Sequence, residues 1–295
     1  QFSFDQIYEK LESVGAEMGF SSGYHLTSFS AQSLAEDADL LLSILADVLR
    51  QPVFPEPLLN QLKGQIITGL QMRANDTQQM ANETLRQLIY PNHPYGRSQN
   101  GSLHTVPALT LADVQQFHAQ QYGPQGMVIC FVGALTPGQA VAKVQHSLGD
   151  WHNPAQKPLP AMPHLLPLNG RLRTHHLMPD KYQSDIALGR PGPSRNAPDY
   201  LAASLMNTVL GVFGMMGRIG KNVREAQGLA YYAYSSLQGG LGPGAWLAAA
   251  GVSPDKVEQA TNSILDEITR IQNELVPVEE LADSQAYRIG SLPVG

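Results

Sequence analysis

The chain has 295 residues, 43% hydrophobic and 15% charged, with a net charge of −6 at pH 7, which suits one compact domain or two of about 150 residues. The hydrophobic share is enough for a sizeable core, the charged share lies below the usual quarter or so, and the acidic balance excludes the basic field that nucleic-acid binding requires. The lone cysteine, Cys130, excludes an intrachain disulfide and a thiolate metal cluster, and no apolar run approaches the roughly 18 residues of a membrane span.

The first residues, Gln1-Phe2-Ser3-Phe4-Asp5, carry neither an initiator methionine nor a signal peptide, and they read as the middle of an element from which any address has been removed. Residues 7–14 suit a helix stopped by Gly15, followed by a strand-like Met18–Ser30. His25, between Tyr24 and Leu26, reads as a structural residue of that strand rather than a base. Glu36, Asp37 and Asp39 place negative charge at a helix start, where the macrodipole favours it. Leu41, Leu42, Leu45 and Val48 then form a helical stripe over Asp37–Leu49. After the break at Pro52–Pro57, a longer helix is expected from Leu58 to about Gln87, and Pro91–Gly96 is a turn cluster. Thr110 is a candidate N-cap. Met127–Leu135 reads as a buried strand with an inert Cys130 thiol. Thr136-Pro137 opens a helix to about Leu148, and the proline-rich Trp151–Pro167 reads as a linker.

The second half repeats this order: helix, Gly228, strand Leu229–Ser236, strand Ala245–Gly251, helix Pro254–Asn273, and a last helix opened by Val276–Leu281. Such self-similarity predicts two copies of one α+β unit, a first domain over 1–150, a linker over 151–167 and a second domain over 168–295. With Gly15 set against Gly228, Leu11 takes the place of Arg224 and Met18 that of Tyr231. Only the second copy carries a polar pair. Arg224 and Tyr231 lie seven residues apart across a helix–glycine–strand break. Their guanidinium and phenol can converge on one polar group such as a peptide carbonyl; the plainer alternative is a surface arginine beside a tyrosine-rich strand (Tyr231, Tyr232, Tyr234). The glycines at 211, 214, 217 and 220 follow a helical segment rather than a strand, which argues against a phosphate loop. No nucleophile elbow supports serine-hydrolase chemistry.

Gly214–Tyr231 (GMMGRIGKNVREAQGLAY), His93-Pro94-Tyr95-Gly96 with Asn100-Gly101-Ser102, and Thr110–Gly133 together resemble the pitrilysin/insulinase family of zinc metallopeptidases, over almost the whole chain. The resemblance implies homologous domains, each with helices layered on a mixed, largely antiparallel sheet, in modules that close like a clamshell around an unfolded peptide. One module carries an inverted zinc motif, His-x-x-Glu-His, with a distant Glu ligand. The other carries an Arg and a Tyr that help bind the substrate or its transition state, and Arg224 and Tyr231 match that pair. Glycine-rich segments in the family border the substrate cleft, which makes Gly239 and Gly240 candidate substrate contacts.

The departures from the family pattern assign the role. No His-x-x-Glu-His occurs in the sequence. His175 and His176 are adjacent and would point to opposite faces of a strand. The family's zinc helix would fall upstream of Gln1, but the helix of the distal Glu matches Leu59–Arg73, which contains no Asp or Glu; Gly69 or Leu70 stands in its place. The last helices of the second domain would follow Gly295. The expectation is therefore a module, truncated at both ends, that binds no metal itself and works with a zinc-carrying homologous partner, in the same polypeptide or a separate subunit, on a peptide substrate. The alternative is a scaffold or assembly subunit that has kept the fold without proteolysis. Compartment, organism and substrate identity are not readable from these residues.

Overall fold

A computed structural model describes residues 2–292 as an α+β fold of helices and antiparallel sheets. Gln1 and Gly295, the outer bounds of the two expected domains, lie outside the described residues. The chain packs as two compact units. One contains the chain up to Thr68 with Gln99–Ala161, and the other contains Gly69–Ser98 with the chain from Met162 onwards.

In the first unit, α1 (Phe4–Ser13) starts at a capping box in which Ser3 and Gln6 exchange side-chain and backbone hydrogen bonds. It stops at Gly15, whose φ of +63° favours glycine. Two nested hydrogen bonds close this end: Ala16 N–H to the Leu11 carbonyl (2.9 Å) around Gly15 N–H to that of Glu12 (3.1 Å). The chain then enters β1 (Glu17–Ser22), which pairs with β2 (Thr27–Gln32) in unbroken antiparallel register. The single strand expected over 18–30 is thus a hairpin, with His25 in its turn, because Gly23 N–H bonds back to the Leu26 carbonyl (2.9 Å). The apolar stripe of α2 (Ala38–Arg50) serves two clusters. Leu41 and Ile44 pack with Leu11 and Ala16, while Leu42, Leu45 and Leu49 pack with Leu148. Leu148 ends the helix Pro137–Leu148, which is opened by the capping box of Thr136 and Gln139.

Two further expectations are corrected. The long helix from Leu58 is two helices, α3 (Glu56–Ala74) and α4 (Thr77–Ile89), because Asp76 caps α4 by accepting from Gln79 N–H at 2.9 Å. Residues 127–134 form no strand, Cys130 is exposed, and Val128 and Val132 stand almost wholly in solvent. Strand propensity alone does not make a strand: without a described neighbour to pair with, the backbone has no ladder to join.

The second unit is built on a three-stranded sheet with β5 (Ala245–Val252) between β3 (Ser184–Pro191) and β4 (Ala230–Leu237). On one face, α4 approaches so closely that a Cβ at Gly189 would meet Leu85 and Ile89 within about 3 Å. On the other, Ala233, Ala248, Ala250 and Val252 join Leu210, Ile219, Val223 and Leu229 with Ala260 and Ile264 of α10 (Val257–Asn273) in the main core. Burial on both faces explains why β5 is apolar without interruption. Arg218 fastens α9 (Phe213–Ile219) to α11 (Val278–Ser291) by a two-point ion pair with Glu280, at 2.9 and 2.5 Å. The hydrogen bonds of this pair hold the Glu280 carboxyl below, and the Arg218 guanidinium above, their ordinary pKa values.

Candidate functional site

Arg224 lies in a π-helical turn, Gly220–Ala226, that continues α9. Ile219 and Val223 are fully buried and anchor its inner side, whereas Arg224 is only half-buried. The turn ends at Gly228 with φ +61°. Its closing bonds run from Leu229 N–H to the Val223 carbonyl (2.9 Å) around Gly228 N–H to that of Arg224 (3.2 Å). The buried residue that the outer bond reaches is Val223, so Val223, and not Arg224, stands where Leu11 stands in the first unit. The turn has gained one residue, and Arg224 occupies the added space outside the core.

Tyr231 follows on β4, also at an irregularity. Ala230 pairs with Val252 and Tyr232 with Gly251, and the register shift between them leaves Tyr231 as the extra residue of a β-bulge. Its side chain is 84% exposed. Neither the Arg224 side chain nor the Tyr231 hydroxyl has a hydrogen-bond or ion-pair partner among the described residues. π-turns and bulges are unfavourable locally and concentrate where a side chain must be re-aimed.

The neighbouring tyrosines are committed elsewhere. Tyr232 donates its hydroxyl to the Asp185 carboxylate, and burial followed by that bond pushes its pKa well above the ordinary tyrosine value. It is therefore a neutral structural donor at physiological pH. Tyr234 rests against the Tyr232 ring, centroids 5.8 Å apart.

Gly239 and Gly240 begin the connection from β4 to β5, at the far end of β4 from Tyr231. Six residue steps of strand, from Tyr231 to Leu237, at about 3.3 Å each put that end of β4 roughly 20 Å from Tyr231, with the two glycines just beyond it. The loop is firmly held. A Cβ at Gly239 would collide with the Tyr200 ring. The Gly240 carbonyl accepts from Arg195 N–H (2.9 Å), Gly242 N–H donates to the Tyr95 hydroxyl (3.0 Å), and the Tyr90 hydroxyl donates to the Pro243 carbonyl (2.8 Å). Sequence reading missed this clamp, although His93-Pro94-Tyr95-Gly96 was its signal. His93 is buried and accepts at Nδ1 from Tyr95 N–H (3.1 Å), so its Nε2–H faces the Pro163 carbonyl (3.2 Å), and neither nitrogen is left for a metal.

The donor set does not fit a zinc ion. Among the described residues no three His, Cys, Asp or Glu side chains cluster. Leu70, at one of the two positions matching the distal Glu, is buried, and Gly69 has no side chain. No helix among the described residues is long and apolar enough to cross a membrane.

The model of the insulinase family, peptidase family M16, matches residues 1–102, and that of the peptidase M16 inactive domain matches residues 108–287. The chain belongs to the pitrilysin/insulinase (M16) family. It is 25% identical over 292 residues to an uncharacterized zinc protease of Streptomyces coelicolor, covering 98% of this chain and 63% of that protein. An M16 inactive-domain crystal structure from Pseudomonas fluorescens matches all of this chain and 71% of its own, with a TM-score of 0.88 and 25% identity. A protease from Helicobacter pylori gives a TM-score of 0.89 at 18% identity, over all of this chain and 71% of its own. The chain thus spans a little over three-fifths of the M16 relative from Streptomyces.

Proposed function

We propose that this chain is the metal-free module of an M16 zinc metalloendopeptidase, holding the substrate peptide and stabilising its transition state while a homologous zinc-carrying module supplies the metal, its ligands and the general base. The supporting observation is the presentation of Arg224 and Tyr231 by two one-residue expansions, which leave a guanidinium and a phenol without partners at one corner of a tightly packed core. In this reading the two side chains converge on the scissile peptide. As water adds to the carbonyl, Arg224 donates to the oxygen that gains negative charge, and the Tyr231 hydroxyl donates to it or to the adjacent backbone. Gly239 and Gly240, just beyond the far end of β4, contact the extended peptide several residues away. The homologous domains are 1–150 and 168–295, joined by 151–167.

The test is reconstitution. The chain alone should retain no stoichiometric zinc after exhaustive dialysis and cleave no peptide. Joined to its zinc-carrying module, in one polypeptide or as two subunits, it should cleave unfolded peptides. In that assembly Arg224→Ala should lower turnover by about 2–4 kcal/mol of transition-state stabilisation, the scale of one oxyanion-type donor, with zinc content and assembly unchanged. Full cleavage by Arg224→Ala would leave the scaffold role as the better account.

A further inference from the structure

The π-turn carrying Arg224 is held by side chains that reach across to α10. Asn222 donates from Nδ2 to Glu267 Oε1 (2.7 Å) and accepts at Oδ1 from Gln227 Nε2 (2.7 Å). Gln227 Nε2 also reaches Ser263 Oγ (2.9 Å), and Gln227 Oε1 accepts from Gln259 Nε2 (3.2 Å). Asn222 and Gln227 are joined a second time through the backbone, Gln227 N–H to the Asn222 carbonyl at 3.1 Å. Glu267 is 7% exposed, with Arg270 3.8 Å from its other oxygen.

The spacing decides what this clasp selects. In an α-helix, residues five apart are rotated by roughly 140° about the axis, so their side chains cannot bond to each other. A turn closed from i to i+5 sets them one above the other. The Asn222–Gln227 bond therefore exists only in the widened turn, and Glu267 and Ser263 fix its two ends to a buried helix face. Were the turn to tighten to α, each residue beyond the change would turn by about 100° relative to the core, and Arg224 would leave its direction.

We propose that Asn222, Gln227 and Glu267 are positioning residues for the peptidase reaction: their hydrogen bonds hold the π-turn and so aim the Arg224 guanidinium. The proposal rests on the substrate-stabilising reading of Arg224. It accounts for a buried carboxylate whose short hydrogen bond is to a neutral amide across the turn, while the Arg270 guanidinium stays 3.8 Å from its other oxygen.

The test uses the full chain joined to its zinc-carrying module, with the best-cleaved member of an internally quenched fluorogenic peptide library as probe. Asn222→Asp sets two carboxylates against each other; adding Glu267→Gln restores one donor facing one acceptor. The single variant should lose at least tenfold in kcat, and its crystal structure should lack the Gln227–Asn222 backbone bond. The double variant should recover to within threefold and regain that bond, a rescue that a general loss of stability would not show. Gln227→Ala, which leaves no buried charge unpaired, should lose kcat in the same direction and serves where Asn222→Asp does not fold. An intact π-turn and full turnover in both single variants, with Arg224→Ala inactive, would overturn the proposal alone. If Arg224→Ala is fully active, the underlying reading fails, and the crystal structures still decide whether the clasp holds the turn.

Discussion

The two helix–glycine–strand corners of this chain begin alike and end differently. In the first, an α-helix runs to Gly15, the outer closing bond spans Leu11 to Ala16, and β1 enters a ladder without a break. In the second, the outer bond spans Val223 to Leu229, one residue more, and β4 carries a bulge one residue beyond its start. The buried contacts are conserved between the corners: Leu11 and Ala16 on one side, Val223 and Leu229 on the other. The difference lies only in what is inserted between them. Packing fixes the anchors, and the added residues place Arg224 and Tyr231 outside the core. A corner that served only the fold would have no use for two locally unfavourable backbone features.

Removing the expansion should have the largest effect. Deleting Ala226 sets Val223 four residues before the glycine, as Leu11 is, and should turn Arg224 away. Turnover of the assembled enzyme should then fall about as far as for Arg224→Ala, by roughly 10²–10³-fold, with the chain still folded by circular dichroism. Undiminished turnover would break the comparison. Next, the second corner leans on an ion pair, Arg218 with Glu280. Glu280→Gln should lower the stability of the chain by about 2 kcal/mol in denaturant titrations at pH 7, since it leaves the Arg218 charge poorly paired. Because the folded state holds the Glu280 carboxyl below its ordinary value, this contribution is complete above the unfolded value of about 4.3. It is lost as the pH falls through the lowered folded value, so wild type and variant should converge in acid.

The glycines sharpen the comparison at smaller scale. Gly15→Ala and Gly228→Ala each force a side chain into the left-handed region and should each destabilise by about 1 kcal/mol. Only Gly228→Ala should also reduce turnover; equal losses from both would mean that activity follows stability and not the corner. The smallest effect belongs to Tyr231→Phe, which keeps the ring. It should shift stability by under about 0.5 kcal/mol, being exposed, and slow turnover about fivefold, the scale of one neutral hydrogen bond.

Much of this was legible in the sequence. The helical stripe of α2, the glycine stops at 15 and 228, the α+β class and the family are set by local pattern and by motif order, and the structure and the family models agree with them. What escaped depends on pairing and on counting. Whether Met127–Val132 becomes a strand depends on a neighbour that its own residues cannot specify. The break at Asp76 is one capping residue inside an otherwise helical run. The π-turn and the bulge each add one residue without altering composition, so aligning the glycines set Leu11 against Arg224 when the buried counterpart is Val223. The clasp at Asn222 was equally hidden, because a spacing of five has no meaning until the turn is known to be wide.

The most direct test of Arg224 as a transition-state donor is the affinity of a phosphinic peptide, a tetrahedral mimic of the hydrated carbonyl, for the assembled enzyme with and without Arg224→Ala. The account predicts that the variant's loss of phosphinate affinity equals its loss in kcat/KM for the matching peptide, while affinity for the uncleaved peptide changes far less. Phosphinate affinity unchanged by Arg224→Ala would contradict it.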